Sequence, residues 1–401
     1  MVRTLKCMLL TGLFSLFMGS LVAQEIVINY DESKIPAYEL PDLLTLNNGQ
    51  QVKNAVQWTE ERRAEILEIF AQEMYGHIPA RPAGLHFKQM SEEVVYNGLG
   101  LRKVVRIYLD EAEQHWFDVL IHLPKNAKKP VPMFAGLNFK GNDATLDERA
   151  GSRWPYELIL KEGFGVATAW RDAIEPDGKD SKIEEAVSVC KDGGVRAWYN
   201  PGGDWGAISA WAWGLSCIYD YLAIDKAVDA SRIAVIGHSR LGKTSLWAGA
   251  NDTRFAMVVS NCSGCCGAAI SRRVIGENFA RIATSFPHWF TRAFDKYMNK
   301  EADFPADQHS LVALAAPRPL YIASATEDLW ADPKGEWLAA VEVAPIYKLF
   351  GKTGVKSIYP APDSPDMDGT VAYHVRTGKH DITAYDWQQY LDFAQKHGWG
   401  K

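Results

Sequence analysis

The chain has 401 residues, of which 47 % are hydrophobic and 23 % are charged, and its formal net charge is −6. This length allows a large hydrophobic core, so the fold does not depend on the six cysteines as a disulfide framework. The acidic balance argues against nucleic acid and anionic membrane surfaces as partners.

The N-terminus has the pattern of a secretory signal peptide at 1–23. Arg3 and Lys6 precede an apolar run that ends at Val22, and Ala23 follows as a small residue suited to cleavage. The run is too short for a membrane span, and no later stretch of the sequence is long and apolar enough for one. We therefore expect a periplasmic or secreted protein, cleaved near Ala23, with no membrane partner.

The remaining elements predict one large α/β unit behind an N-terminal extension. Residues 24–100 form the extension, which is packed on the core and contains a helix over 59–74. Alternating apolar patterns at 104–109 and 116–123 predict antiparallel edge strands. Strands and helices then alternate, which predicts a doubly wound, mostly parallel sheet in a three-layer sandwich over 101–401. The predicted core strands are 132–137, 165–170, 233–236, 256–260, 319–324 and 370–375.

The most informative motif is Gly237-His238-Ser239-Arg240-Leu241-Gly242-Lys243, which lies between a β-branched run and a helix-favouring stretch. A serine on a tight turn between a strand and a helix is the layout of a nucleophile elbow. The motif departs from the G-x-S-x-G pattern, because Leu241 stands where the second glycine belongs. A serine after a glycine is usually an ordinary turn residue, so this motif needs partners elsewhere in the chain.

Such partners occur in the order that an α/β-hydrolase requires, which is serine, then an acid, then histidine. Glu327 and Asp328 follow the predicted strand at 319–324, and His380 follows the strand at 370–375. The carboxyl ends of parallel strands meet at one edge of a sheet, so these side chains should share one cleft. The sequence therefore predicts an α/β-hydrolase.

The stretch 262–308 separates two core strands, and we expect it to form an inserted cap that walls the cleft. It begins with Cys262-x-x-Cys265-Cys266, but no second Cys or His pair stands at zinc spacing. Buried small residues are the better interpretation of these cysteines. We expect neither a metal nor a cofactor. The five cysteines beyond Cys7 are an odd number, so at least one lacks an intrachain partner.

Several segments resemble the bacterial branch of the glucuronoyl esterases, carbohydrate esterase family fifteen, over roughly 60–400. The resemblance is carried by the elbow motif, by Glu327-Asp328-Leu329-Trp330-Ala331-Asp332-Pro333, by Gly378-Lys379-His380-Asp381, and by the segments 286–290 and 307–319. It implies hydrolysis of the ester that joins the 4-O-methyl-glucuronate carboxyl of glucuronoxylan to lignin alcohols.

The resemblance also implies individual roles. Ser239 would be the nucleophile, His380 the general base and Asp328 the acid, and Arg240 would stabilise the oxyanion. The residues that would hold the glucuronate ring are Lys243, Glu277 and Trp330. One departure concerns Cys262, which occupies the place where many members carry a glutamate. The disulfide that ties the nucleophile turn to the histidine loop in many fungal members is absent too.

Two other functions are open at this point. One is a carbohydrate acetyl esterase of the acetyl xylan esterase type, which would use the same triad with a different pocket. The other is a non-catalytic glycan-binding protein, prompted by Cys262 in place of an acid. We expect the partner to be a glucuronoxylan or lignin–carbohydrate ester, with no nucleic acid, and the protein to be a monomer.

Overall fold

The computed structural model of the protein describes residues 26–146, 153–178 and 193–400. The predicted signal peptide at 1–23 and Cys190 lie outside these ranges. Within them, no helix has the length and apolar character needed to cross a membrane. The four cysteines in the described ranges are buried free thiols: Cys217, Cys262, Cys265 and Cys266.

The described strands form one nine-stranded sheet in the order β1-β2-β3-β5-β4-β6-β7-β8-β9. Its first three pairs, β1 to β2, β2 to β3 and β3 to β5, are antiparallel, and every pair from β5 across to β9 is parallel. The strands are β1 His86–Val95, β2 Gly100–Tyr108, β3 Trp116–Pro124, β4 Val131–Asn138, β5 Gly165–Trp170, β6 Val228–His238, β7 Met257–Asn261, β8 Leu320–Ala325 and β9 Val371–Arg376. This confirms the predicted mostly parallel sheet and its antiparallel edge. The outermost strand, β1, is an addition that the sequence did not predict.

Helices cover both faces of this sheet and complete the three predicted layers. The α-helices are α1 Ala55–Gln57, α2 Arg63–Phe70, α3 Tyr156–Lys161, α4 Val195–Tyr199, α5 Ala207–Leu222, α6 Arg240–Asn251, α7 Phe279–Ser285, α8 Gln308–Ala313, α9 Pro333–Glu342, α10 Ala344–Leu349 and α11 Ala384–Lys396. In β4, Met133 and Ala135 point into the cluster that contains α5 and α6, whereas Phe134 points into the cluster that contains α3 and α11. Alternate residues of a strand face opposite sides of the sheet, so a strand buried on both faces is apolar throughout.

The predicted helix at 59–74 is part of a longer helical segment that runs from 55 to 75, with π-helical turns at Trp58–Arg62 and Ala71–Tyr75. This segment packs on the core: Arg63 donates hydrogen bonds to the carbonyl oxygens of Ala250 and Leu314. The Tyr75 carbonyl oxygen accepts from the backbone of Gly206 and from the hydroxyl of Ser209. The division of the chain at residue 100 stays a prediction.

Four loops leave the carboxyl ends of adjacent parallel strands and meet at one edge of the sheet. They follow β6, β7, β8 and β9, which lie side by side. Ser239 begins the loop after β6, Cys262 the loop after β7, Asp328 lies after β8, and His380 after β9. The fold therefore brings residues separated by more than 140 positions in sequence to one place.

Candidate active site

Ser239 occupies a strained turn between β6 and α6. Its backbone has φ 58° and ψ −128°, a conformation that non-glycine residues rarely adopt, and strain of this kind concentrates at functional sites. The turn needs glycine at position 237, because a Cβ there would lie 1.8 Å from the carbonyl oxygen of Leu241. The Ser239 N–H donates to the carbonyl of Asn261 at 2.8 Å, which fastens the turn to β7.

The departure from G-x-S-x-G has a packing explanation. Leu241 is buried within the core, where its side chain fills space that a glycine at this position would leave empty. Gly242 is the residue that approaches β7, and a Cβ there would lie 3.0 Å from the Ser263 side chain and 3.1 Å from the Asn261 carbonyl. The close contact between helix and strand is therefore shifted by one residue.

His380 and Asp328 form a short hydrogen bond across two neighbouring loops. The His380 Nδ1–H donates to Asp328 Oδ2 at 2.6 Å, and the Asp328 side chain is only 3 % exposed. With Nδ1 bound to the carboxylate, Nε2 is the ring nitrogen left to exchange a proton.

The loop that carries His380 is held by the guanidinium of Arg376. This side chain donates to the carbonyls of Lys379 and Asp381, and its Nε donates to Asp386 at 2.9 Å. The Asp386 carboxylate also accepts from the backbone and hydroxyl of Thr383, which completes the N-terminal cap of α11. This cap at Thr383 anchors the loop that presents His380.

All seven residues proposed from the sequence line one cavity of about 410 Å³. They are Ser239, Arg240, Lys243, Glu277, Asp328, Trp330 and His380. The expected cap at 262–308 contributes further walls, through Arg281, Ser285, Phe286 and Trp289. A slightly smaller hollow of about 380 Å³ lies along β3 and the loop after β4, and none of the seven residues lines it.

One side of this cavity combines a lysine, a glutamate and a tryptophan. Lys243 Nζ donates to the Ser263 carbonyl at 2.6 Å and lies 3.9 Å from Glu277 Oε2. The Glu277 backbone N–H donates to the Trp330 carbonyl at 2.9 Å. Burial raises the pKa of the Glu277 carboxyl, although Lys243, Arg240 and a hydrogen bond with Trp330 act in the opposite direction. This wall therefore offers both hydrogen-bond donors and acceptors, as a sugar ring requires.

Arg240, the residue after Ser239, lies against two aromatic rings and a buried carboxylate. Its Cζ is 4.6 Å from the ring centroid of Trp289 and 4.9 Å from that of Phe286. Its Nη1 donates to Asp177 Oδ2 at 2.5 Å. Neither Asp177 nor the stacked pair of Phe286 and Trp289 emerged from the sequence as a site residue. The segment 286–290, part of the family resemblance, was the available sign for the aromatic pair.

Cys262 lies beside the pair formed by Asp328 and His380. Its Sγ, a carboxylate oxygen of Asp328 and a ring nitrogen of His380 all lie within 4.8 Å of one another, so these three residues could hold a metal ion. Burial raises the pKa of the Cys262 thiol well above its usual range, and the nearby carboxylates of Glu336 and Asp328 add to this. The thiol is thus neutral and adds no negative charge beside His380.

Comparisons with known proteins agree on one family. A family model described as "Glucuronyl esterase, fungi" matches residues 108–351. Carbohydrate esterase MZ0003, from an unknown prokaryotic organism, is 44 % identical over 407 residues, covering 94 % of this chain and 93 % of its own. The structure of a glucuronoyl esterase from Solibacter usitatus superposes with a TM-score of 0.83 at 43 % identity, covering 90 % of this chain and 99 % of the other. A promiscuous CE15 esterase from a marine bacterial metagenome gives 0.83 at 42 % identity, covering 92 % and 100 %.

The fold and the site therefore define a carboxylic ester hydrolase with the α/β-hydrolase architecture. Serine, acid and histidine follow β6, β8 and β9 in the chain order of that class. Within it, the chain belongs to the glucuronoyl esterase family, carbohydrate esterase family 15. The family resemblance drawn from the sequence is confirmed.

Proposed function

We propose that this protein is a serine esterase that hydrolyses 4-O-methyl-glucuronoyl esters linking glucuronoxylan to lignin alcohols. The observation that carries the proposal is the 2.6 Å hydrogen bond between His380 and Asp328 in the cavity that also contains Ser239 and Arg240. A buried carboxylate that fixes one ring nitrogen leaves the other as a base, which is the arrangement that activates a serine hydroxyl.

In the first half-reaction, Ser239 Oγ attacks the ester carbonyl carbon while His380 Nε2 takes its proton. The carbonyl oxygen becomes an oxyanion, and the carboxylate of Asp328 stabilises the imidazolium. The ester C–O bond then breaks, and His380 gives its proton to the departing alcohol. In the second half-reaction water attacks the acyl carbon while His380 takes its proton. The bond from that carbon to Ser239 Oγ then breaks, His380 returns the proton to Oγ, and the glucuronic acid is released.

Arg240 would supply charge to the oxyanion from the first position of α6. The N-terminal turn of a helix directs free N–H groups and a partial positive charge toward the same point. One well-placed donor is typically worth about 2.7–4 kcal/mol of transition-state stabilisation. The Arg240 side chain is 26 % exposed, so solvent reduces the advantage of its full charge.

Lys243, Glu277 and Trp330 would bind the hydroxyl groups of the glucuronate ring. The arrangement provides an ammonium donor and a buried carboxyl in the cavity that also contains the Asp328–His380 pair. An ester masks the sugar carboxylate, so the acidic net charge of the chain does not oppose substrate binding. The acid that is released is anionic, and that charge favours its departure. Export by the segment 1–23 would give the enzyme access to plant cell-wall material.

The test compares benzyl glucuronate with 4-nitrophenyl acetate, for the wild type and for Ser239→Ala. We expect the wild type to prefer the glucuronate ester in kcat/KM, and Ser239→Ala to lose this activity. A clear preference for acetate would instead favour a carbohydrate acetyl esterase, an alternative that the promiscuous marine neighbour makes worth testing. Unchanged sugar binding by Ser239→Ala, with no wild-type turnover to lose, would support a glycan-binding protein.

A further inference from the structure

A buried carboxylate outside the triad organises the wall beside Ser239. Asp177 lies in the loop after β5, and its side chain is only 1 % exposed. Oδ2 accepts from Arg240 Nη1 at 2.5 Å and forms an ion pair with Arg171 Nη2 at 2.9 Å. Oδ1 accepts from the indole Nε1 of Trp289 at 2.7 Å and from His288 Nε2 at 2.9 Å. Both oxygens are therefore fully engaged.

These contacts keep Asp177 ionised. Burial raises its pKa, but hydrogen bonds from His288 and Trp289 and the charges of Arg171 and Arg240 outweigh burial, so the pKa lies below the usual range of an aspartate. The carboxylate contacts several donors, so its negative charge does not interact with Arg240 alone. Asp177 thus binds the guanidinium of Arg240, and Arg171, a second cation, helps to balance the charge of the carboxylate.

Asp177 also links the two groups that confine Arg240. The same carboxylate that binds Nη1 binds the indole of Trp289, and the rings of Trp289 and Phe286 stack at 3.9 Å between centroids. The guanidinium lies over both rings. An arginine side chain has many rotamers, and a donor that is already held in place does not lose that freedom during the reaction.

We infer that Asp177 is a positioning residue, which fixes the guanidinium of Arg240 beside Ser239 and does not touch the substrate itself. The inference rests on the proposed reaction, in which Arg240 stabilises the oxyanion. Loss of Asp177 should then harm the transition state more than the ground state, because only the transition state carries the developing charge.

A double-mutant cycle tests this inference on the full chain. Asp177→Asn should lower kcat/KM for benzyl glucuronate about 10- to 100-fold, mostly through kcat, since one oxyanion donor is worth about 10²- to 10³-fold. In an Arg240→Ala background the same substitution should change kcat/KM less than about threefold, because the residue through which it acts is gone. Glu175→Gln is the matched control: Glu175 is another buried carboxyl of this loop, and it binds the backbone of Arg196. It should lose less than about threefold.

The outcome that would overturn the inference is an equal loss from Asp177→Asn in both backgrounds, which means that the residue only supports the fold. If Asp177→Asn does not fold, added guanidinium ion provides a second measurement. It should restore part of the activity of Arg240→Ala, and a failure to do so at any concentration below denaturation would count against an anchored guanidinium site. Failure of the proposed function is distinguishable, since the wild type would then show no turnover that depends on Ser239.

Discussion

Replacing Asp328 with asparagine tests the acid of the proposed triad, and the structure allows its cost to be worked out. The asparagine is nearly isosteric, but its amide can donate to His380 Nδ1 and force the ring proton onto Nε2, so that the base is lost. The charge is lost as well. At an effective dielectric of about 20, opposite charges about 4 Å apart attract by about 4 kcal/mol.

Because the His380 side chain is 38 % exposed, solvent weakens this attraction, and we take it as about 3 kcal/mol. Loss of this attraction alone corresponds to about a 10²-fold lower rate, and the wrong tautomer of His380 lowers the rate further. We therefore expect Asp328→Asn to lower kcat for benzyl glucuronate by about 10³- to 10⁴-fold, with KM little changed. In contrast, Cys262→Ala should cost less than about threefold, because the thiol is neutral at working pH.

Cys262 also offers a gain-of-function control. Its Sγ lies within 4.8 Å of a ring nitrogen of His380, so a glutamate at this position can bring a carboxylate to the imidazole. In the Asp328→Asn background, Cys262→Glu should recover about 10- to 100-fold of the lost activity. Cys262→Gln has the same size without the charge and should recover none. A large loss from Cys262→Ala, or a small one from Asp328→Asn, would refute the assignment of Asp328 as the acid.

Three further predictions concern the turn, the sugar wall and a buried carboxyl. Gly237→Ala should destabilise the protein by about 3 kcal/mol or more in denaturant unfolding, because the new Cβ would meet the Leu241 carbonyl at 1.8 Å; an unchanged midpoint would contradict this. Glu277→Gln should raise KM for glucuronate esters about tenfold while leaving acetate hydrolysis unchanged, as steady-state kinetics would reveal. Burial raises the pKa of Glu336 to about 7, above its unfolded value of about 4.5, so the free energy of unfolding should fall as the pH rises through this window, by roughly 3 kcal/mol in total. Glu336→Gln should remove that slope, and an identical slope in the variant would show that another group is responsible.

Burial decides which strands could be predicted from the sequence: the buried strands could be predicted, and the exposed strand β1 could not. The core strands are apolar on both faces, and the predicted run at 165–170 coincides with β5. The stretch His86–Val95 has most of its residues exposed at the edge of the sheet, so no alternation of apolar and polar residues marks it. Its strand conformation comes from pairing with β2, a tertiary contact that local sequence does not encode.

The residues of the candidate site likewise fall into some that the sequence could predict and some that it could not. Ser239, Asp328 and His380 stand directly after strands, where topology alone fixes which side chains meet, so their order in the chain was enough to place them together. Asp177 stands in a loop that also carries Asp172 and Glu175, and nothing local separates it from them. What singles it out is its four partners, of which Arg171 comes from its own loop, His288 and Trp289 from the cap and Arg240 from the elbow, and only the folded chain assembles them. A residue whose role is to orient another residue has no motif of its own. Variants at such positions should therefore show their effect as coupling with Arg240, and single substitutions alone cannot reveal it.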